Sequence, residues 1–596
     1  MKNCYLKRVI LILIVIFPIL IMAQSFQWTY HAGSPVGANH VIQCVCDGNG
    51  NSYMLITFEI LENSQPLLNN NPINVLYDTN VIYTTRFLLL ISYDCYGSLR
   101  WYRSLRSGHS DPENYPLFGI TRTSSMELIN NRLFIAIRGE GNKLLLRDET
   151  GNDTTLNISD NYIYAPADAF ISLDTNGNLL WKNSLTTNIF PVTSQNNHYR
   201  CYPLQITFDN ESNLHVLYHI TSFGADNHPS FPLDSNTDLY ILKYDTSGTF
   251  LSSHPLQFSS NGDGVQNPRL KYYQGKYYFT GDSGSNDTII VNGIRYPKPV
   301  LNSRPALYIA RMDTGGYCLN YKYLSPDCNA YDMDITDLGD IYLAGSVSEQ
   351  FDGIFLNNPY NYNSEQVFLS KMDTSFNTLY LKNAWSDDPD YNEALSMIIL
   401  SNNRIAIGGQ AQGGTLFDSI QCPISSMHEP FIAVYDENEM KFIHAKQISS
   451  HGMDEVEILA NDQNDNLIIA GKFSSPFFSI GDSLFYNYGN DDIFFGRYGW
   501  QCGELANWAS TVPEFETGSE EVRIYPNPTS SFLYLESESL PMKEYTLYDF
   551  TGRIQQSAII HDTHCTLNLS RLASGLYLIR VYLQNGHIET LKFSKQ

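Results

Sequence analysis

The chain lacks the short fingerprints that announce most enzymes. Its 14 histidines include no His-Glu-x-x-His pair, and no P-loop, dinucleotide-binding glycine pattern or nucleophile elbow occurs. Its cysteines form no Cys-x-x-Cys pair and no Cys/His cluster of metal-ligand spacing. Positive charge is scarce as well: 37 Lys and Arg stand against 62 Asp and Glu, for a formal charge of −25. A surface of that sign repels nucleic acid and anionic membrane, which argues against a phosphate-backbone partner. What the chain has in quantity is Ser, Thr, Asn and 41 Tyr, with only 17% charged residues over 596 positions. That balance suits an extracellular, turn-rich β protein long enough for more than one domain.

Long apolar runs are missing too, apart from one at the N terminus. Lys2, Lys7 and Arg8 precede an apolar stretch from Val9 to Met22 broken only by Pro18, and Ala23 offers a small residue ahead of Gln24. The run falls short of the ~20 residues a membrane helix needs. No cysteine follows it in lipobox spacing, since Cys4 precedes it. Residues 1–23 therefore read as a cleaved secretory signal, with no transmembrane or lipid anchor. Of ten cysteines, eight lie between that signal and the tail. An oxidising compartment permits disulfides, and Cys318 with Cys328 are placed to bridge a local loop. Cys44 and Cys46 share one face of a strand.

Between the ends the chain repeats itself. One element is a strand, Asp-x-x-Gly, and another strand, as in Tyr93-Asp-Cys-Tyr-Gly-Ser-Leu-Arg-Trp101, Leu173-Asp-Thr-Asn-Gly-Asn-Leu-Leu-Trp181 and Tyr244-Asp-Thr-Ser-Gly-Thr-Phe250. Asp caps such a turn with its carboxylate and Gly accepts positive φ. Asp373 and Asp436 keep the Asp of the turn and lose its Gly. A second element is a turn followed by a very apolar strand, as in Asn131-Arg-Leu-Phe-Ile-Ala-Ile137, Gly339-Asp-Ile-Tyr-Leu-Ala-Gly345 and Asn466-Leu-Ile-Ile-Ala-Gly471. These apolar, glycine-ended strands suit the crowded inner strands of propeller blades.

Seven copies of each element predict an all-β fold, a seven-bladed β-propeller over residues 24–502. Phe26-Gln-Trp-Thr-Tyr30 puts Trp28 in the slot of Trp101 and Trp181 without a preceding turn. It is expected to complete the last blade, which ends on Asp492-Ile-Phe-Phe-Gly-Arg-Tyr498, and so to close the ring. The wide repeat spacing demands long loops, with Asn63 to Asn80 and Asn183 to Arg200 the clearest. The best-kept repeat, around Gly452 to Phe495, resembles the bacterial beta-propeller repeat of secreted proteins, a resemblance that implies fold and extracellular setting and no shared activity.

Candidate ligand groups are few. Asp168, Asp238, Glu429 and Asp492 stand at equivalent positions two residues before the aromatic of an outgoing strand. Blade symmetry would set them at one level on one rim, where they could bind a cation or a cationic ligand. The competing reading is that they satisfy local backbone donors where the strands open. Asp47, Asp174 and Asp462 each begin an Asp-x-Asn-x-Asn run, the start of a calcium loop, but lack its bidentate Glu and fall at hairpin turns. Ca2+ is thus the only cofactor the spacing suggests, and none is required. Asp387-Asp-Pro-Asp390 and Glu393 could pair as glycosidase acids or form an exposed interblade loop.

Residues 503–521 read as an exposed acidic linker, carrying Glu514, Glu516, Glu520 and Glu521. The tail that follows, 522–596, begins Val522-Arg-Ile-Tyr525-Pro526-Asn527-Pro528 and turns at Asp549-Phe-Thr-Gly552. It continues Ala573-Ser-Gly575-Leu-Tyr-Leu and finishes Leu591-Lys592-Phe-Ser-Lys595. The prolines fix φ and remove donors, and the alternations between turns predict a small antiparallel β-sandwich. A carbohydrate-binding or immunoglobulin-like module is the alternative from pattern alone. In that order the motifs resemble the type A C-terminal sorting domain of Bacteroidetes proteins exported by the type IX secretion system. The resemblance implies passage through the periplasm to the cell surface or medium. It also implies as partners the secretion machinery and its sortase. The function expected of the propeller is a binding or scaffold module with a glycan or protein ligand. A propeller hydrolase or lyase acting on polysaccharide, or a structural surface-layer component, is the alternative.

Overall fold

The computed structural model describes residues 24–506, 508 and 522–595, except for 35–36, 38, 61–65, 70, 73–84, 109–124, 140–142, 159–167, 185–197, 224–237, 261–264, 284–287, 298–305, 357–364, 387–391, 413, 424–426, 449–451, 538–539, 550–553 and 585–587. The expected signal (1–23), most of the linker, Gly552 and the Asp387–Asp390 acids lie outside the described residues. Among the described residues there is no helix, and so none long and apolar enough to cross a membrane.

Seven sheets, numbered here in chain order, each contain a four-stranded antiparallel meander. Their first strands are His40–Cys46, Ser125–Ile129, His198–Phe208, Val265–Tyr273, Cys328–Ile335, Glu393–Leu400 and Glu455–Asn461. Each of these strands packs beside the first strand of the next sheet, and the seventh packs beside the first, so they form a closed circuit around an axis. The architecture is a β-propeller. Ring closure is as expected: Ser25–Gly33 pairs antiparallel with Asp492–Gly499 as the fourth strand of sheet 7, with Tyr30 opposite Phe495.

One placement differs from expectation. The very apolar strands are the second in each meander, and the strand at the axis is the half-polar one before it. A second strand is covered on both faces by neighbouring sheets, hence its continuous burial, as at Ile341–Val347. The axis strand faces the channel along one edge and can be polar there. Six axis strands carry a bulge or register irregularity, for example between Ala330 and Asp332 and between Ala394 and Ser396. The glycines ending the second strands answer those bulges. A Cβ at Gly345 or Gly409 would run into the carbonyl of Asn329 or Glu393.

The Asp-x-x-Gly turns form as expected. Asp94 Oδ1 accepts the amides of Tyr96 and Ser98 at 3.0 and 2.7 Å, and Gly97 has φ +87°. Where the Gly is missing, Phe376 takes the left-handed conformation at φ +68°. A third repeated device lies outside the two sequence elements: a hairpin between the second and third strands. Asn292-Gly293 and Asp352-Gly353 turn two of them with positive φ at both residues. Asp352 ties the hairpin across sheets, since its Oδ2 receives Thr378 Oγ1 of its own outer strand at 2.6 Å and Lys322 Nζ of the previous sheet at 2.7 Å. The Asn63–Asn80 loop contains a similar pair, Leu67–Leu68 with Asn71–Pro72, added to the edge of sheet 7.

The cysteines depart from expectation. Cys318 and Cys328 are both free and buried, in different sheets, and the disulfide is Cys95–Cys502 across 407 positions. Cys95 sits in the outer turn of sheet 1 and Cys502 follows the last strand of sheet 7, so the bond spans the seam of the ring. Linker residues also belong to the core of sheet 7. Ala506 and Trp508 are buried, and Trp508 Nε1 donates to Asp465 O at 3.1 Å, because an indole beside His444 and Tyr498 fills a gap that an exposed linker would leave open.

The tail forms two sheets, Val522–Tyr525 with Phe532–Ser537 and His564–Asn568, and Ile554–Asp562 with Met542–Asp549, Gly575–Leu583 and Ile588–Lys595. Leu533, Leu547, Ile579 and Phe593 are buried between them, the sandwich expected from the alternation.

Candidate functional site

All seven axis strands contribute to one cavity of about 550 Å³, the channel at the centre of the ring. Neighbouring axis strands belong to different sheets, and side chains join them. Ser125 Oγ accepts the amide of Ile206 at 3.0 Å, Gln205 Oε1 that of Leu270 at 2.7 Å, and Asp332 Oδ2 that of Met397 at 2.9 Å. Ser396 Oγ takes Leu459 N at 3.0 Å, and Glu457 Oε2 takes Val41 N at 2.7 Å, which crosses the seam. Each acceptor thus satisfies a buried amide of the next sheet. Five of the seven junctions are bridged in this way among the described residues; in sheet 4 the corresponding residue is Arg269, which cannot accept.

Two residues farther along these strands the channel becomes ionic. Lys271 Nζ lies 3.1 Å from Asp334 Oδ1. Burial works against the Lys271 ammonium, yet Asp334, Glu127 and Asp332 together hold its pKa above the usual value. Burial pushes the Glu127 carboxyl up to about 7, against the pull of Lys271, and Asp332 is raised for the same reason despite Arg269 and Lys271. Across the channel His40 Nδ1 lies 2.6 Å from Glu457 Oε1. At the mouth where the axis strands begin, Glu393 accepts from Tyr331 OH at 2.6 Å and Glu455 pairs with Lys472 at 3.0 Å.

The four acids singled out in sequence open the third strands of four different sheets. Asp168 is buried, accepting from Tyr218 OH at 2.5 Å and Ser184 Oγ at 3.0 Å. Asp492 is buried and accepts Tyr488 N at 2.7 Å beside His31 Nε2 at 2.9 Å. Glu429 is buried opposite Ala411, and the side chain of Asp238 lies outside the described residues. Gln366, at the equivalent place in sheet 5, accepts from Asn383 Nδ2 at 2.7 Å. The position therefore ties the third strand to the end of the outer strand. The Asp-x-Asn-x-Asn runs are spent on their own turns: Asp47 Oδ1 receives Asn49 and Asn51 amides, and Asp174 and Asp462 do the same. Among the described residues no group of three or more His, Cys, Asp or Glu is close enough to hold a metal ion.

The tail motif assembles. Asn527 Nδ2 donates to Lys592 O at 3.1 Å and Asn527 Oδ1 accepts Ser594 N at 3.0 Å, which lays Tyr525-Pro526-Asn527-Pro528 along the last strand. Gly575 pairs with Lys595 at the start of the neighbouring strand. Tyr525 is half exposed and stacks on Tyr534 at 5.5 Å.

Residues 523–595 match the family described as the secretion system C-terminal sorting domain. The tail belongs to that family, that of the type IX secretion system, and the protein carrying it is exported to the cell surface or released. A search of curated proteins returns no match. Similar solved structures include PorZ, an essential bacterial surface component of the type IX secretion system of Porphyromonas gingivalis, at 12% identity, covering 95% of this chain and 100% of that one, with a TM-score of 0.16. Trypanosoma rangeli sialidase in complex with the inhibitor DANA aligns at 10% identity over 94% and 84%, with a TM-score of 0.32. The extracellular domain of the putative one component system BT4673 from B. thetaiotaomicron aligns at 13% over 96% and 98%, with a TM-score of 0.14. At these TM-scores they carry no argument, and the fold stands on the sheet topology.

Proposed function

We propose that the seven sheets are the blades of a surface-displayed binding module whose ligand occupies the central channel, and that a sortase removes the tail once the chain has crossed the outer membrane. The observation that carries the binding reading is the channel itself. It has the volume of a small-molecule site, and it concentrates charged groups that the bonds between axis strands do not require. A scaffold would need the side-chain bridges alone. The test is a glycan and peptide binding screen of the mature chain, run beside a polysaccharide cleavage assay. Binding that Ile42→Trp abolishes supports the channel, binding indifferent to it moves the site elsewhere, and turnover would make the protein an enzyme. Mass spectrometry of the surface form checks the sortase step, which predicts loss of the terminal Lys592-Phe-Ser-Lys-Gln596.

A further inference from the structure

The channel lining carries four carboxyl groups, Glu127, Asp332, Asp334 and Glu457, against Arg269, Lys271 and His40. Lys271 is committed to Asp334, at 3.1 Å. Arg269 works against the buried carboxyls of Asp332 and Asp282. Glu457 is engaged by His40 and by the Val41 amide. Glu127 remains. It projects from Ser125–Ile129, and no hydrogen bond or ion pair joins it to another described residue. Lys271 acts on it only as a neighbouring charge, not enough to offset burial.

A second observation is independent of Glu127. At the mouth where the axis strands begin, Glu455, Glu457 and Asp491 act on the ammonium of Lys472, and Glu393 adds a further negative charge beside Glu455. A cleft of one sign with low-dielectric walls raises the local concentration of ions of the other sign. The geometry points to a site for a small organic cation, a primary amine or guanidinium, held by Glu127 with Asp334 alongside and reached through the acidic mouth. This rests on the channel-binding reading above and gives its ligand a charge. An amine fits better than a metal ion. Calcium wants six to eight converging oxygens, whereas the channel acids are spread over different strands, with the Lys271 ammonium set among them. A free polyamine and the side chain of a Lys or Arg residue share the chemistry.

The test is calorimetric titration of the mature chain at low ionic strength with spermidine, with the peptide Gly-Lys-Gly, with its Lys-acetylated form, with calcium chloride and with a neutral oligosaccharide. Spermidine or Gly-Lys-Gly should bind, acetylation should abolish peptide binding, and Glu127→Gln should weaken it at least tenfold. Which amine binds more tightly separates a free polyamine from a protein side chain. Unchanged affinity in Glu127→Gln overturns the inference, as does calcium binding that depends on Glu127. Oligosaccharide binding without amine binding also overturns it while leaving the channel reading intact, and no binding by any probe defeats both. If Glu127→Gln lowers the melting temperature, Asp334→Asn supplies the same comparison, with a comparable or larger loss expected because Lys271, freed from Asp334, competes with the ligand for Glu127.

Discussion

The indole Nε1 of Trp28 donates to the carbonyl of Cys95 at 3.2 Å, and a Cβ placed on Gly97 in the same turn would stand 2.7 Å from the Trp28 ring. Trp28 belongs to the outer strand of sheet 7 and Cys95 to the outer turn of sheet 1. Trp101 makes the same bond to Thr175 O at 3.0 Å, and Trp181 to Thr246 O at 3.0 Å. Two residues after each Trp, Tyr30, Arg103 and Asn183 donate to the carbonyls of Gly97, Gly177 and Gly248. The N-terminal strand thus takes the seat that an outer strand takes against the next sheet, at the one junction where the chain must close on itself.

Trp28→Ala should therefore cost about 3–5 kcal/mol, the range for removing a buried Trp. Gly97→Ala should also destabilise, through both the clash and its positive φ. Tyr96→Ala, one residue away and 75% exposed, should change stability little. Urea denaturation of the three variants checks the order, and equal midpoints for Trp28→Ala and Tyr96→Ala would mean that the seam does not hold the ring.

Closure is legible in the sequence because Trp28 occupies a slot defined by Trp101 and Trp181, and because Asp-x-x-Gly names its own backbone geometry. The interlocking hairpins carry a sequence signal of their own, since Asn292-Gly293 and Asp352-Gly353 stand between apolar residues as hairpin turns do. The channel was not legible. Each axis strand gives it only part of its lining, so Glu127, Lys271 and Asp334 share no motif and meet only through the ring. The same reason hid Cys95–Cys502: spacing favours near neighbours such as Cys318 and Cys328, whereas a circular fold brings distant positions together at its seam.

The disulfide should matter because it closes so long a loop. In the chain-entropy description a loop of this size stabilises by on the order of 5 kcal/mol, less any strain. Reduction, Cys95→Ser and the double serine variant should lower the melting temperature by similar amounts, since each opens the same loop. A melting temperature unmoved by reductant would show that strand pairing alone secures the seam.

Stability should fall as pH rises above neutrality, and Asp282 is the reason. Burial raises its carboxyl from 3.8 to about 8, against the hydrogen bonds from Asn267 and the Ala330 amide. A folded-state pKa above the unfolded one means that the protonated form is favoured on folding, so its contribution is full below pH 3.8 and is lost as pH rises towards 8. His215, His219 and His444, each lowered to about 4 chiefly by burial, act in the opposite sense but only below 6.5. Between 6.5 and 8 the decline includes Asp282, with Glu127 contributing up to about 7 and the carboxyls of Asp332 and Glu455, also raised by burial, acting in the same direction. Asp282→Asn, which resembles the protonated acid, should match wild type at pH 5 and exceed it at pH 8.5 in thermal melts. Parallel curves for the two proteins would assign the pH dependence to other groups.

Export should depend on the tail and on the way its first segment is fastened to its last strand. Deleting residues 522–596 removes the matched sorting domain, so the remaining chain should accumulate in the periplasm. Surface delivery of that truncation would mean that another signal suffices. Asn527→Ala asks a finer question. It removes both bonds that hold Tyr525-Pro526-Asn527-Pro528 against Lys592 and Ser594, each worth about 1 kcal/mol where solvent competes, while the core around Leu533, Ile579 and Phe593 is untouched. The tail should stay folded and lose only the register of that segment. If the machinery reads the assembled surface, export in cell-fractionation assays should drop severalfold without loss of total protein. If Asn527→Ala exports as well as wild type while the truncation does not, recognition lies elsewhere on the sandwich.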